Sequence, residues 1–328
     1  MNFEITSNLS SFAYEGWKRL IESSGLVAEE GCPRTLLVYD EENIVATGSR
    51  DGCVLKYIAV ADSHRGEDLT AKILTELRRD AFEDGYTHLF LYTKPSNKYM
   101  FESLFFYPVV TTSDVLVMEN KKGGITEFTD SLPKAHKCGV IGSVVMNCNP
   151  FTLGHRALIE RAASECDHVY VFVLSEDKSE FSAADRMNMV KLGTEDIKNV
   201  TVLPTGPYLI SSATFPTYFI KDRDKIGRAH CEADVSIFGE YFVKAFSITR
   251  RYVGTEPNSL LTADYNDYLK RELPKYGVEV IEVDRVCKDG APISASKARE
   301  LIKSGDTVAA SRLLPKTTLD YILSNSKI

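Results

Sequence analysis

NCNPFTLGH, residues Asn147 to His155, follows an apolar run, Gly139 to Met146, and opens a helical run, Arg156 to Cys166. Apolar strand, tight turn, then helix predicts a β-to-α transition at the mouth of a parallel sheet, with Thr152, Gly154 and His155 in the turn. Free N–H groups and the helix dipole attract phosphate at such a place. A nucleotide is the ligand this suggests.

The pattern continues outward from that stretch. His168 to Leu174 (HVYVFVL) reads as a strand, Ala183 to Leu192 as a helix and Val200 to Leu203 as a strand, with further strands at Tyr252 to Gly254 and Val278 to Val283. This alternation predicts a doubly wound parallel sheet whose ligand crevice lies beyond the carboxyl ends of the strands. Polar segments fall at those ends: TLGH after the first strand, SEDKSEF after the second, GTEP after a later one and ISASKAR after the last.

Upstream the order differs. RTLLVYD, NIVATGS and VLKYIAVA (from Arg34, Asn43 and Val54) read as consecutive antiparallel strands. A helix from about Gly66 to Glu83 places Leu69, Ile73, Leu74, Leu77 and Ala81 at helical spacing. Strand HLFLYT, a short helix near Asn97 to Leu104 and strand VLVMEN follow, and an amphipathic helix, Phe12 to Ile21, precedes them all. Between the halves, Asn120 to Lys137 carries paired lysines, paired glycines and a proline without a sustained period, as a linker does.

Composition narrows the function classes. A length of 328 residues exceeds what one core usually serves, so two domains are expected. The formal net charge of −7 argues against broad nucleic-acid binding. No apolar run reaches the roughly 20 residues needed to span a bilayer, and MNFEITSNLS lacks the regions of a signal peptide, so a cytoplasmic protein is expected. Seven cysteines are scattered without CxxC spacing, which indicates neither a zinc site nor a disulfide framework. Cys148 reads as a buried filler, and the His230–Cys231 pair lacks further ligands.

The first half resembles the GNAT acetyltransferase fold, in which the turn before the long helix cradles the pyrophosphate of acetyl-CoA. The matching stretch, Ser63 to Leu69, departs from the pattern where Asp68 replaces the loop's second glycine, and Phe105 stands where such domains usually have glycine. A carboxylate there would repel pyrophosphate, so a structural or thiol-docking role is expected over independent acetyl-CoA turnover.

In the second half TLGH resembles the (H/T)xGH signature of the nucleotidyltransferase superfamily, and ISASKAR, about 140 residues on, resembles its second signature, ISSTxxR. With SEDKSEFSAADR, the run Ile210 to Asp222 (ISSATFPTYFIKD) and RRYVGTEP, nearly the whole chain resembles the citrate lyase ligase family. The resemblance implies a GNAT-like α+β domain (1–120), a linker (121–137) and a Rossmann-like, doubly wound nucleotidyltransferase domain (138–328). It implies ATP-dependent activation of acetate, with Mg²⁺ carried by the ATP phosphates. The acetyl group would then pass to the prosthetic-group thiol of the citrate lyase acyl carrier subunit, whose CoA-like arm the GNAT-like domain would receive.

Roles follow from that chemistry. Acetate is already ionised at pH 7, so His155 can donate a hydrogen bond to the α-phosphate while the Thr152 hydroxyl meets phosphate oxygens. Lys178 would offset charge on the triphosphate. Asn149, Pro150, Phe151 and Gly154 complete the first loop, and Ser294, Ser296 and Arg299 would take the β- and γ-phosphates, the serines serving equally as helix caps. Gly254, Thr255 and Glu256 suit adenine or ribose, or form an ordinary turn. Thr214, Phe215 and Tyr218 could enclose the acetate methyl group or belong to the core. Asp185 and Arg186 read as a helix start with a surface charge. A nucleotidyltransferase acting on a phosphorylated small molecule such as pantetheine phosphate would share both signatures.

Overall fold

The computed structural model describes every residue except 29–31, 136–137, 178, 210–214, 217, 221–225, 256–259, 289 and 326–328, and only the backbone of 260–263. It divides into two compact units, Met1–Gly124 with Phe215–Ala233, and Ile125–Thr214 with Asp234–Ile328.

The first unit is built on a seven-stranded mixed sheet in the order β1-β2-β3-β4-β5-β7-β6. Its strands are β1 (Asn2–Thr6), β2 (Arg34–Asp40), β3 (Asn43–Asp51), β4 (Val54–Val60), β5 (Phe90–Thr93), β6 (Tyr107–Thr111) and β7 (Leu116–Glu119). All neighbours pair antiparallel except β4 and β5, which run parallel. Helix α1 (Ser11–Ser23), capped by Ser10, buries Ala13, Trp17, Leu20 and Ile21 along one stripe. Helix α2 (Leu69–Glu83) buries Leu69, Ile73, Leu74 and Leu77, and α3 (Lys98–Ser103) buries Phe101. A Cβ on Gly48 would come within 2.5 Å of Ile73, so glycine is what lets α2 lie on β3.

Asp68 and Phe105, the two departures from the acetyltransferase pattern, have φ of +56° and +61°. Both therefore keep the left-handed backbone that glycine adopts freely, at a cost of about 1 kcal/mol each.

Helix α4 (Gly124–Ser131) occupies part of the stretch expected as a linker. The second unit then forms a five-stranded, all-parallel sheet in the order β10-β9-β8-β11-β12. Its strands are β8 (Ile141–Met146), β9 (His168–Val173), β10 (Val200–Pro204), β11 (Arg250–Gly254) and β12 (Glu279–Val283). On one face α5 (Leu153–Glu165) and α6 (Ala183–Thr194) bury Ile159, Ala162, Met189 and Val190 with Val144, Val169 and Val171. Along β9 the alternate residues turn the other way: Phe172 packs edge-on against Phe238, Phe242 and Phe246. Those rings lie on a continuous helical stretch of α7 (Ile226–Ile237), a π-helical segment (Phe238–Val243) and α8 (Lys244–Phe246). Covered on both faces, β9 reads as six consecutive buried residues. Helix α9 (Leu260–Glu272), the two-residue strands β13 (Cys287–Lys288) and β14 (Ala291–Pro292), and helices α10 (Ala295–Lys303), α11 (Thr307–Ala310) and α12 (Lys316–Asn325) complete the chain. No helix among the described residues is long and apolar enough to cross a membrane.

In the first unit Asp80, 4% exposed, accepts hydrogen bonds from both Arg34 and Arg50, the latter itself 2% exposed. Burial opposes ionisation of Asp80, but the two guanidinium groups outweigh it and hold the carboxyl below its usual range. The resulting stability is fully present above the ordinary carboxylate range and is lost as pH falls through the depressed value. Asp80→Ala leaves the buried Arg50 with the half-exposed Asp84 as its one carboxylate among the described residues, and is expected to cost about 3 kcal/mol. Denaturant unfolding at pH 7 measures the loss, and at acid pH the gap between variant and wild type should close.

Candidate active site

Strand order turns back between β8 and β11, where an open α/β sheet offers its ligand crevice. A cleft of about 680 Å³ lies there, bounded by the carboxyl ends of β8, β11 and β12 and by the start of α5. Thr152, Gly154 and His155 line it from the first signature, and Ile293, Ala295 and Ser296 from the second. The two motifs read from the sequence thus share one cavity.

Thr152 is the N-cap of α5. Its Oγ accepts from the His155 backbone N–H at 3.3 Å, while its own backbone N–H donates to His155 Nδ1 at 3.0 Å. This reciprocal cap assigns the imidazole tautomer: Nδ1 accepts, so the ring proton sits on Nε2. The ring stacks on Phe151 with 12° between planes. Burial, then the positive charge of Arg285, pushes the His155 pKa down to about 4. At pH 7 His155 is a neutral, oriented hydrogen-bond donor.

The second signature is tied to the first directly. Arg299 donates to the carbonyl oxygen of Asn149 and, at 3.0 Å, to Ser296 Oγ. A Cβ added to Gly154 would stand 3.5 Å from Ile293 and 3.6 Å from the Thr152 hydroxyl, so the two loops touch there. Ser294 caps α10 by accepting from the Lys297 N–H. Arg299 and Lys303 both face Glu180, at 3.7 and 2.8 Å.

Other expected residues are placed differently. Phe151 is fully buried and Pro150 is buried, so both shape the loop from beneath, and a Cβ on Gly193 would strike the Phe151 ring at 2.4 Å. Asn149 accepts from the Phe181 N–H through its side chain. Cys148 is fully buried, and burial raises its thiol pKa, as suits a filler and not a nucleophile. Gly254 lines the crevice, where a Cβ would meet only Arg285 at 4.0 Å, which leaves open space for a ligand. Thr255 is fixed by Arg285, whose backbone N–H and Nε donate to its hydroxyl and carbonyl. Lys178, Glu256 and Thr214 lie outside the described residues.

The aromatic candidates for an acetate pocket belong elsewhere. Phe215 packs edge-on against Tyr92 and His230, and Tyr218 lies 4.6 Å from Tyr57 and donates its hydroxyl to the Tyr92 carbonyl. All of these are residues of the first unit, and neither aromatic lines the crevice. Their rings fill that unit's core because an aromatic with a satisfied hydroxyl gains most by burial.

Three arginines hold places that the sequence pattern alone does not assign them. Arg186 is not a surface charge: it is fully buried and donates to the carbonyls of Asn147, Leu174, Glu176 and Phe181, clamping the loops after β8 and β9. Ser182 is the cap of that helix, with Asp185 accepting from its hydroxyl. A cation in the first turn of a helix opposes the dipole, which is the sequence signal that it does something else. Arg251 is 4% exposed and lines the crevice with Arg285. Consecutive arginines in a strand covered on both faces force one of them inside.

Comparison with known proteins bears on this arrangement. The family description "Citrate lyase ligase C-terminal domain" matches residues 141–322. "[Citrate [pro-3S]-lyase] ligase" of Klebsiella pneumoniae is 40% identical over 94% of this chain and 92% of that protein. The Escherichia coli (strain K12) protein of the same name is 39% identical over 88% and 84%. Among solved structures, Escherichia coli ElaA covers 37% of this chain and 99% of its own at 14% identity and a TM-score of 0.33. Thermotoga maritima TmcAL, bound with alpha-thio ATP, covers 57% and 56% at 13% identity and a TM-score of 0.38.

The imidazole assignment has a direct check. Nitrogen NMR of the histidine rings should find His155 unprotonated at pH 5.5 with its proton on Nε2, and Arg285→Ala should raise its pKa. A titration near the ordinary value of about 6.5 contradicts the assignment.

Proposed function

The chain belongs to the citrate lyase ligase family, and on that premise we propose that it activates acetate with ATP and acetylates the acyl carrier subunit of citrate lyase. In the first step an acetate oxygen bonds to the α-phosphorus as the bond to the bridging oxygen breaks, and pyrophosphate leaves with the electron pair. In the second, the thiol on the carrier's CoA-like arm attacks the acetyl carbonyl and AMP departs, the thiol proton passing to solvent. Both partners would meet it in the cytoplasm.

The observation that carries the reading is the single crevice holding a neutral His155 beside the start of α10. A carboxylate nucleophile is ionised at pH 7 and needs no general base. What the reaction requires is in-line placement and stabilisation of charge on phosphate oxygens. His155 supplies an Nε2–H donor for the α-phosphate, since its other nitrogen is occupied by the Thr152 N–H. The Thr152 hydroxyl caps the same turn and orients the ring. Ser294 and Ser296 present the first turn of α10 to the β- and γ-phosphates, with Arg299 adding positive charge at the junction of the two loops. Lys178 would counter charge on the departing pyrophosphate, and Gly254, Thr255 and Glu256 would border adenine and ribose.

Mg²⁺ would arrive on the triphosphate and neutralise part of its charge. It takes chiefly phosphate and water oxygens in such sites, and among the described residues no group of three His, Cys, Asp or Glu side chains is arranged to hold a metal.

The test is exchange of labelled pyrophosphate into ATP. Exchange is expected to require acetate, and to be lost by about 100-fold or more in His155→Ala while ATP still binds. Exchange that ignores acetate and answers instead to a phosphorylated acceptor such as pantetheine phosphate overturns the reading.

A further inference from the structure

Arg251 is the second residue of β11. Its neighbour Tyr252 turns into the core beneath α5, where its hydroxyl donates to Glu165, so Arg251 faces the opposite side of the sheet. There its guanidinium carbon sits 4.6 Å over the ring of Phe238. The residue is 4% exposed and lines the crevice. Nε and Nη1 are buried with no hydrogen-bond partner among the described residues. Asp234, the carboxylate whose field reaches Arg251, accepts the hydroxyl proton of Tyr265, and no ion pair joins it to the guanidinium among the described residues.

A buried guanidinium without an anion is costly, and removing it from water is repaid only by an anion or by hydrogen bonds to each N–H. Arg50 has carboxylates and Arg186 has carbonyls. Arg251 alone of these three lines the cavity, and its Nε and Nη1 groups are unmatched among the described residues.

We propose that Arg251 binds the carboxylate of the acid substrate. The inference rests on the adenylation reading and adds to it the place of the acid. The residue lies three positions before the carboxyl end of β11, about 10 Å along the strand, on the floor of the crevice and not at the helix starts suited to the triphosphate. Val145, Phe238 and Tyr265 surround that floor. A planar carboxylate with a short alkyl tail satisfies both the Arg251 guanidinium and the apolar wall, whereas a phosphate would carry more charge than that guanidinium balances. One carboxylate oxygen stays on Arg251 and the other attacks the α-phosphorus, with pyrophosphate leaving as above.

The experiment compares wild type, Arg251→Met and Arg251→Lys. Three quantities are read: KM for acetate in pyrophosphate exchange, Kd for ATP by calorimetry, and broadening of the [¹³C]acetate resonance in the presence of α,β-methylene ATP. Arg251→Met should raise the acetate KM by about 100-fold or more and abolish the broadening, with Kd for ATP within about twofold of wild type. Arg251→Lys, which keeps the charge, should recover part of both, and it stands as the decisive variant if the methionine form does not fold. An acetate KM unchanged within about threefold, or a loss of ATP affinity in place of acetate affinity, overturns the proposal. Broadening is read without turnover: if wild type shows no acetate-dependent exchange yet broadens acetate through Arg251, the adenylation reading fails and the binding assignment stands.

Discussion

Arg299 donates to the carbonyl oxygen of Asn149, and that bond holds the start of α10 against the loop after β8. The residues are 150 positions apart, and without their contact the two signatures would be two ordinary helix starts. With it, Ile293 meets Gly154, Ser296 and His155 face the same cavity, and two helix dipoles point into one space. The rest of the second unit serves to keep that meeting point rigid. A parallel sheet buried on both faces fixes the ends of β8 and β11, and Phe151 under the loop fixes the imidazole.

Three arginines in the protein show three ways of holding a buried guanidinium. Arg50 pairs with carboxylates, which contributes stability to the first unit. Arg186 is surrounded by main-chain oxygens, and so converts its charge into loop geometry. Among the described residues Arg251 has neither at Nε or Nη1, and its position beside the crevice makes the unmet charge a property of the site. A group left unsatisfied in the free protein lowers stability and leaves its hydrogen bonds to the substrate, the usual trade at a binding site.

Much of this was legible in the sequence because the signals were local. The strand-to-helix turn at Thr152, the buried run of β9 and the apolar stripe of α2 each follow from a period or a cap, and the structure repeats them within a few residues. What escaped depends on neighbours distant in the chain. Strand β1 is a half-exposed sheet edge and β6 contains Pro108, so neither carries a clean alternation. Helix α4 sits in a stretch whose glycines and lysines read as linker. Phe215 and Tyr218 lie within a family-like run that suits either a pocket or a core, and only their partners Tyr57, Tyr92 and His230 show the packing they take. The burial of Arg186 and Arg251 could be suspected only from an unfavourable helix position and a doubled arginine in a strand.

The proposed chemistry requires both signatures to grip one triphosphate. A crystal structure with α,β-methylene ATP tests this most directly. It should place the α-phosphate within hydrogen-bonding distance of His155 Nε2 and the terminal phosphates against the first turn of α10 at Ser294 to Ser296. A nucleotide that engages one signature while the other remains in solvent, or that binds away from the β8–β11 crevice, contradicts it.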